Sequence, residues 1–118
     1  MFDTATGHMV PVGAIVIEGE KITAVVPAGE EFVPPADAQV LAAEGKYLIP
    51  GLIDGHVHLV HVLNSLQITA DEIMPLFLAN GITTLRDVGD EIVAQKLLVK
   101  YAEAHPATAP RVIMGSLL

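Results

Sequence analysis

The run from Pro50 to Leu59 constrains this chain more than any other stretch, because it places an aspartate and two histidines within an apolar segment. In a β-strand, alternate side chains point to the same face, so Asp54, His56 and His58 would share one side. The other side would be apolar, which is the pattern of a strand buried on both faces. The run therefore predicts a buried strand of a parallel sheet.

The spacing of the two histidines suggests metal chemistry. Two imidazoles on one side of a rigid strand can bind one borderline metal ion, because neutral imidazole suits zinc, iron and similar metals. The alternative is a pair of histidines that only pack together or share a hydrogen bond. The spacing by itself leaves both interpretations open.

Residues 1–49 predict a small β unit without a chemical constellation. Gly13–Ile17 and Lys21–Val26 are rich in β-branched residues and flank a short turn, which predicts a β-hairpin. The other predictions for this unit are an irregular segment at 1–11, a proline-rich loop at 27–38, and short strands at Val40–Ala42 and Lys46–Ile49.

From Pro50 onward the pattern alternates between strands and helices, which predicts a parallel sheet with helical crossovers. Thr69 and Glu72 have the spacing of a capping box, so a helix is expected to begin there, although Pro75 would kink its interior or delay its regular part. Asn80–Gly81 is a typical helix stop. The other predictions are strands at about 51–59, 82–87 and 111–114, a loop at 60–68, and a helix at about 91–104 capped by Asp90.

The remaining polar candidates have ordinary interpretations. Arg86 and Asp87 end the second strand of the alternating region and predict a mutual or backbone-directed ion pair rather than catalysis. His61 and His8 are predicted to be loop histidines, and His105 a surface residue.

Two stretches resemble a known family. The segment Tyr47–Leu59 resembles the signature of the amidohydrolase superfamily of metal-dependent hydrolases, and Asn80–Gly89 is similar to that family as well. The resemblance is closest to the branch containing imidazolonepropionase-like and Xaa-Pro dipeptidase-like enzymes. It covers nearly the whole chain, but it implies only the N-terminal portion of such an enzyme, whose barrel typically needs ~250 residues.

The resemblance implies an α/β fold and a metal site. Residues 1–49 would be a partial β-sandwich domain, and 50–118 the first two βα units and third strand of an incomplete TIM (β/α)8 barrel. His56 and His58 would be ligands of a divalent metal, zinc first, with iron or manganese as alternatives. Asp54 would either support these ligands or be a polar residue of the barrel interior.

By the same resemblance, the expected function is that of an N-terminal fragment of an amidohydrolase. A metal-activated water would hydrolyse a C–N bond in an amide, a cyclic amide or a dipeptide. A catalytic zinc site needs about three protein ligands and a water. The family's later ligands and general base have no counterpart here, so no catalytic residue is assigned and the chain alone is expected to be inactive. The alternative is a non-catalytic β/α module that assembles with a partner chain or with itself.

The amino-acid composition limits the kinds of partner that the chain is expected to bind. The net charge of −8 argues against binding to nucleic acid or to an anionic membrane. An apolar content of 52% with only 17% charged residues is rich for a small monomer, so we expect a homo-oligomer or association with the remainder of an enzyme. The chain has no cysteine and does not begin with a signal-peptide pattern, which fits a cytoplasmic protein.

Overall fold

The computed structural model describes residues 1–115, so positions 116–118 of the predicted second domain lie outside the described residues. The chain is mixed α/β and divides into two compact units, Met1–Pro50 and a second unit that begins at Gly51. In chain order the elements are β1 (Phe2–Asp3), β2 (His8–Met9), β3 (Val12–Glu18), β4 (Lys21–Pro27), β5 (Leu52–Val57), α1 (Leu59–Leu66), α2 (Ala70–Ala79), β6 (Ile82–Val88), α3 (Ile92–Ala104) and β7 (Arg111–Gly115).

The first unit contains two antiparallel strand pairs. The predicted hairpin is confirmed as β3 and β4, whose last paired residues before the turn are Glu18 and Lys21. The prediction of an irregular segment at 1–11 is wrong, because β1 pairs with β2 in the register Phe2 to Met9. His8 is exposed but lies in β2 rather than in a loop.

The strands predicted at Val40–Ala42 and Lys46–Ile49 are wrong, because neither segment forms a strand. Phe2 N donates a hydrogen bond of 2.8 Å to Leu48 O, but no ladder extends from it in the described part of the chain. Leu41 and Tyr47 remain 80% and 81% exposed. The preference of such residues for strands comes from packing on a neighbouring strand and its side chains. Without such a neighbour, the local sequence pattern predicted strands that do not form.

The second unit has the predicted parallel sheet, with strand order β5-β6-β7 and helices in the connections. The predicted start of α2 is confirmed, since Thr69 N and Thr69 Oγ1 donate to Glu72 Oε2 at 2.8 and 2.9 Å. Pro75 lies inside this helix, which does not begin there. The predicted stop is also confirmed, with Asn80 as the C-cap and Gly81 at φ +78°.

The loop predicted at 60–68 is wrong, because α1 occupies most of it. Leu59 is only 1% exposed, and Leu63, one helical turn later, packs against the same core. His61 is therefore an exposed helix residue, with Nε2 lying 3.3 Å from Ser65 Oγ, and not a loop residue.

The core of the second unit lies between the sheet and its helices. Its buried apolar residues are Leu59, Met74, Leu85, Leu98, Ala102, Ala109 and Val112.

The prediction that Asp90 caps α3 is wrong. Glu91 is the N-cap residue, and its carboxylate accepts from Val93 N and Ala94 N at 3.0 and 2.8 Å. None of the helices in the described chain is long and apolar enough to cross a membrane.

Candidate functional site

The two histidines of the motif meet at the C-terminal end of β5. His56 lies within the strand, and His58 lies one residue beyond it, at the N-cap of α1. Their Nε2 atoms are 3.2 Å apart, and the rings are in an edge-to-face arrangement with centroids 5.1 Å apart. Both side chains are exposed, so the pair is accessible to a ligand.

The strand is irregular where it carries these residues. Asp54 pairs with Leu85 and Val57 with Asp87, so three steps on β5 match two steps on β6. This is a bulge, which locally breaks the alternation of faces on which the sequence prediction relied. Asp54 Oδ1 accepts from the backbone N of His56 at 3.1 Å, so Asp54 contacts the backbone of the motif and not an imidazole ring.

A buried carboxylate bonds to the residue that follows His58. Asp87 is fully buried, and its Oδ1 accepts from Leu59 N at 2.8 Å, while its Oδ2 has no hydrogen-bond partner among the described residues. Of the two predicted partners of Asp87, the backbone is therefore correct, since the carboxylate accepts a hydrogen bond from an amide and does not pair with Arg86. Burial raises the pKa of Asp87, the Leu59 amide opposes that effect, and the nearby Asp90 carboxyl reinforces it.

A second carboxylate acts beside the first. Asp90 Oδ2 accepts from Val60 N at 2.9 Å, so the first two amides of α1 bond to two carboxylates, one at the end of β6 and one in the β6–α3 loop. Gly89 separates the two acidic positions at φ +75°, and a Cβ placed on it would lie 3.0 Å from Cε1 of His58. Sequence reasoning missed Asp90 and Gly89, although their place after a strand parallel to β5 put them at the same edge of the sheet.

The histidine pair has the dimensions of two ligands to one ion. Zinc binds imidazole nitrogen at about 2.0–2.1 Å, so two such nitrogens at a tetrahedral angle lie about 3.3–3.4 Å apart. The observed 3.2 Å is close to that separation. A hydrogen bond between two neutral rings also suits this distance. In the described residues, no group of three or more His, Cys, Asp or Glu side chains could hold a metal ion.

Comparisons with known proteins support the family suggested by the motif. No family model matches the chain. It is 50% identical to an imidazolonepropionase from Fusobacterium nucleatum over 42% of the chain and 12% of that enzyme. It is 40% identical to one from Streptomyces griseus over 49% of the chain and 15% of the enzyme. An adenine deaminase from Rubrobacter xylanophilus is 26% identical over 89% of the chain and 17% of the enzyme.

One solved structure adds a likeness of fold. The crystal structure of an uncharacterized protein superimposes with a TM-score of 0.59 at 24% identity, over 85% of this chain and 26% of that one. The chain spans no more than 17% of the length of the curated relatives named above. The imidazolonepropionases belong to the branch that the sequence indicated, whereas adenine deaminases were not anticipated. Both kinds of relative are amidohydrolase-superfamily enzymes, and this chain is similar to a small part of each.

Proposed function

We propose that this chain supplies part of the active site of a metal-dependent hydrolase, with His56 and His58 as two ligands of one divalent ion. The observation that carries the proposal is the 3.2 Å separation of their Nε2 atoms at the end of β5. Zinc is the first choice because neutral imidazole suits it, and iron or manganese are the alternatives. Asp54 contributes by holding the backbone N of His56.

The proposed architecture is the beginning of a (β/α)8 barrel at 50–118, preceded by part of a β-sandwich at 1–49. The parallel order β5-β6-β7 with helical connections supports the barrel. The two histidines, Asp87 and Asp90 lie at or just after the C-terminal ends of adjacent strands, which is where barrel enzymes place their chemistry.

The proposed reaction is hydrolysis of a C–N bond. A bound metal supplies a water of lowered pKa and polarises the bond that is attacked. The names of the relatives, imidazolonepropionase and adenine deaminase, point to cyclic nitrogen compounds, so we favour a cyclic amide or amidine over a linear amide or dipeptide. A catalytic zinc needs about three protein ligands, and the described residues contain no group of three or more that could hold it. We therefore propose that the chain is inactive until further ligands complete the site.

Open strand edges and exposed apolar side chains of the second unit suggest association with another chain. Within the described residues, β5 and β7 each pair along only one edge, and open edges invite pairing with other strands. Large apolar side chains are also exposed, among them Ile53 at 70% and Leu97 at 63%. We propose that these surfaces pack on the rest of an enzyme or on a second copy of the chain, as a cytoplasmic protein without nucleic-acid or membrane partners. This surface also suits the second candidate, a non-catalytic β/α assembly module.

Zinc titration of the chain tests the proposal. We expect weak binding in the wild-type chain, because two imidazoles leave most of the coordination sphere to water. His56→Ala and His58→Ala should each abolish it, whereas the matched controls His61→Ala and His105→Ala, which remove exposed helix-associated histidines, should not. Equal binding in all four variants would exclude the assignment and favour the assembly module. Metal-dependent turnover of a cyclic amide that is lost in His58→Ala would instead overturn the proposed inactivity.

A further inference from the structure

Helix α1 begins without a cap of its own. The first amides of a helix have no partner within it, and the N-cap side chain normally accepts from one of them. Here the N-cap residue is His58, at φ −120° and ψ 74°, and its side chain makes no capping hydrogen bond. Its imidazole meets His56 instead.

The capping is supplied by a different βα unit. Leu59 N donates to Asp87 at 2.8 Å across 28 residues of sequence, and Val60 N donates to Asp90 at 2.9 Å across 30 residues. Negative charge is favourable at a helix N-terminus, so these bonds suit the carboxylate form of an acidic side chain. They fix the two residues that follow His58 to the end of β6 and the loop after it.

The same loop also bounds the ring of His58. A Cβ on Gly89 would approach His58 Cε1 to 3.0 Å and Nδ1 to 3.4 Å, so a side chain at this position would crowd the imidazole and require it to shift. Residues 87–90 thus bond to the two amides that follow His58 and lie beside its ring.

We propose that Asp87, Gly89 and Asp90 are positioning residues for the ligand pair. They hold His58 so that its Nε2 meets that of His56, and they leave its side chain free by capping α1 in its place. This inference rests on the proposed metal site, because positioning matters only if the pair binds a ligand. Groups that orient a metal ligand typically contribute about 10–100-fold to metal affinity.

The test uses the full chain and zinc alone. Asp90→Ala removes the bond to Val60 N, whereas Asp90→Asn retains an acceptor oxygen. Gly89→Ala leaves both carboxylates and adds a methyl group against the ring. The matched control is Glu91→Ala, which removes a helix cap from the same loop, but from α3 rather than α1. Zinc affinity is measured by competition with a chelator, and the His58 Cε1–H resonance is measured without metal.

We expect Asp90→Ala and Gly89→Ala to weaken zinc binding by about tenfold or more and to shift the His58 resonance. Asp90→Asn should restore most of the affinity, and Glu91→Ala should change neither quantity. Wild-type affinity in both Asp90→Ala and Gly89→Ala would overturn the inference. If Asp90→Ala does not fold, Gly89→Ala decides by the same readouts. If the wild-type chain binds no zinc, the proposed function fails, and the resonance alone decides: an unmoved His58 signal in both variants overturns the positioning role.

Discussion

Replacing Asp87 by asparagine should stabilise the chain at neutral pH, although it changes a buried residue at the candidate site. Asparagine keeps the oxygen that accepts from Leu59 N. It removes a buried charge and replaces Oδ2, which has no hydrogen-bond partner in the described structure, by an amide nitrogen. The Asp90 carboxyl and the side chain of Gln95 lie beside that position, and Gln95 Oε1 is also buried without a partner.

The expected change in the free energy of unfolding follows from the cost of a buried polar group without a hydrogen-bond partner. A buried group without a hydrogen-bond partner costs about 1–3 kcal/mol, so Asp87→Asn should raise the free energy of unfolding by about that amount. Asp87→Ala should have the opposite sign, with a loss of about 1–3 kcal/mol, because it leaves the amide of the buried Leu59 without an acceptor.

The pH dependence gives a second check. Burial raises the pKa of Asp87 above its ordinary value of 3.8, so the folded chain holds this proton more tightly than the unfolded chain. The stabilising contribution is therefore full below pH 3.8 and is lost as the pH rises through the raised value. The difference between Asp87→Asn and wild type should be large at neutral pH and should shrink towards pH 3.8. Asp3 and Glu72 have lowered pKa values, each held mainly by a threonine hydrogen bond, and their opposite pH dependence cancels in this difference.

Urea denaturation followed by circular dichroism, at one fixed protein concentration, measures these differences. An Asp87→Asn variant that is less stable than wild type at neutral pH would refute the reasoning. A stability difference that stays constant between neutral pH and pH 3.8 would refute the ionised, desolvated carboxylate as its cause.

Three further predictions concern the second unit. Gly51→Ala should destabilise by about 1–3 kcal/mol in urea denaturation, because its Cβ would clash with the side chain of Thr83. Gly55→Ala, which meets nothing within 4 Å, should be far milder, and equal losses would contradict the contact. Glu91→Ala should cost about 0.5–2 kcal/mol by thermal melting, since two amides of α3 lose their acceptor, and Glu91→Asp should cost less. Asp71→Asn should lower the pKa of Tyr101 towards its ordinary value, because the hydrogen bond to Asp71 raises it; ultraviolet absorbance titration measures this, and an unchanged pKa would refute it.

The sequence predicted those elements whose signal is local. The β3–β4 hairpin follows from two β-branched runs around a turn, and the start of α2 follows from the spacing of Thr69 and Glu72. Helix α1 was missed although Leu59 and Leu63 are one turn apart, because its residues were interpreted as the loop that follows a barrel strand. The false strand at Val40–Ala42 shows the converse, since strand-forming residues do not make a strand without a hydrogen-bonded neighbour.

The site was predictable only in part, for the same reason. The spacing of His56 and His58 indicated a ligand pair, and the structure brings their Nε2 atoms together, while their role as metal ligands stays a prediction. The bulge at 54–57 could not be read from the motif, because it depends on the register with β6. The bonds from Asp87 and Asp90 to the start of α1 join residues about thirty positions apart, which no local pattern encodes.

The geometry of the histidine pair is therefore not a property of the motif alone. Strand β5 supplies one imidazole and the residue after its end supplies the other, but β6 sets the register that produces the bulge, and Asp87 in β6 and Asp90 after it cap α1. A peptide of residues 51–66 would carry the complete motif, yet it would lack both carboxylates and the hydrogen-bonded neighbour of β5. Its helix would also be too short to be stable in water by itself, since isolated helices below about 12–15 residues are marginal. The smallest part of this chain that could hold His56 and His58 at 3.2 Å must therefore include β6 and the residues after it up to Asp90.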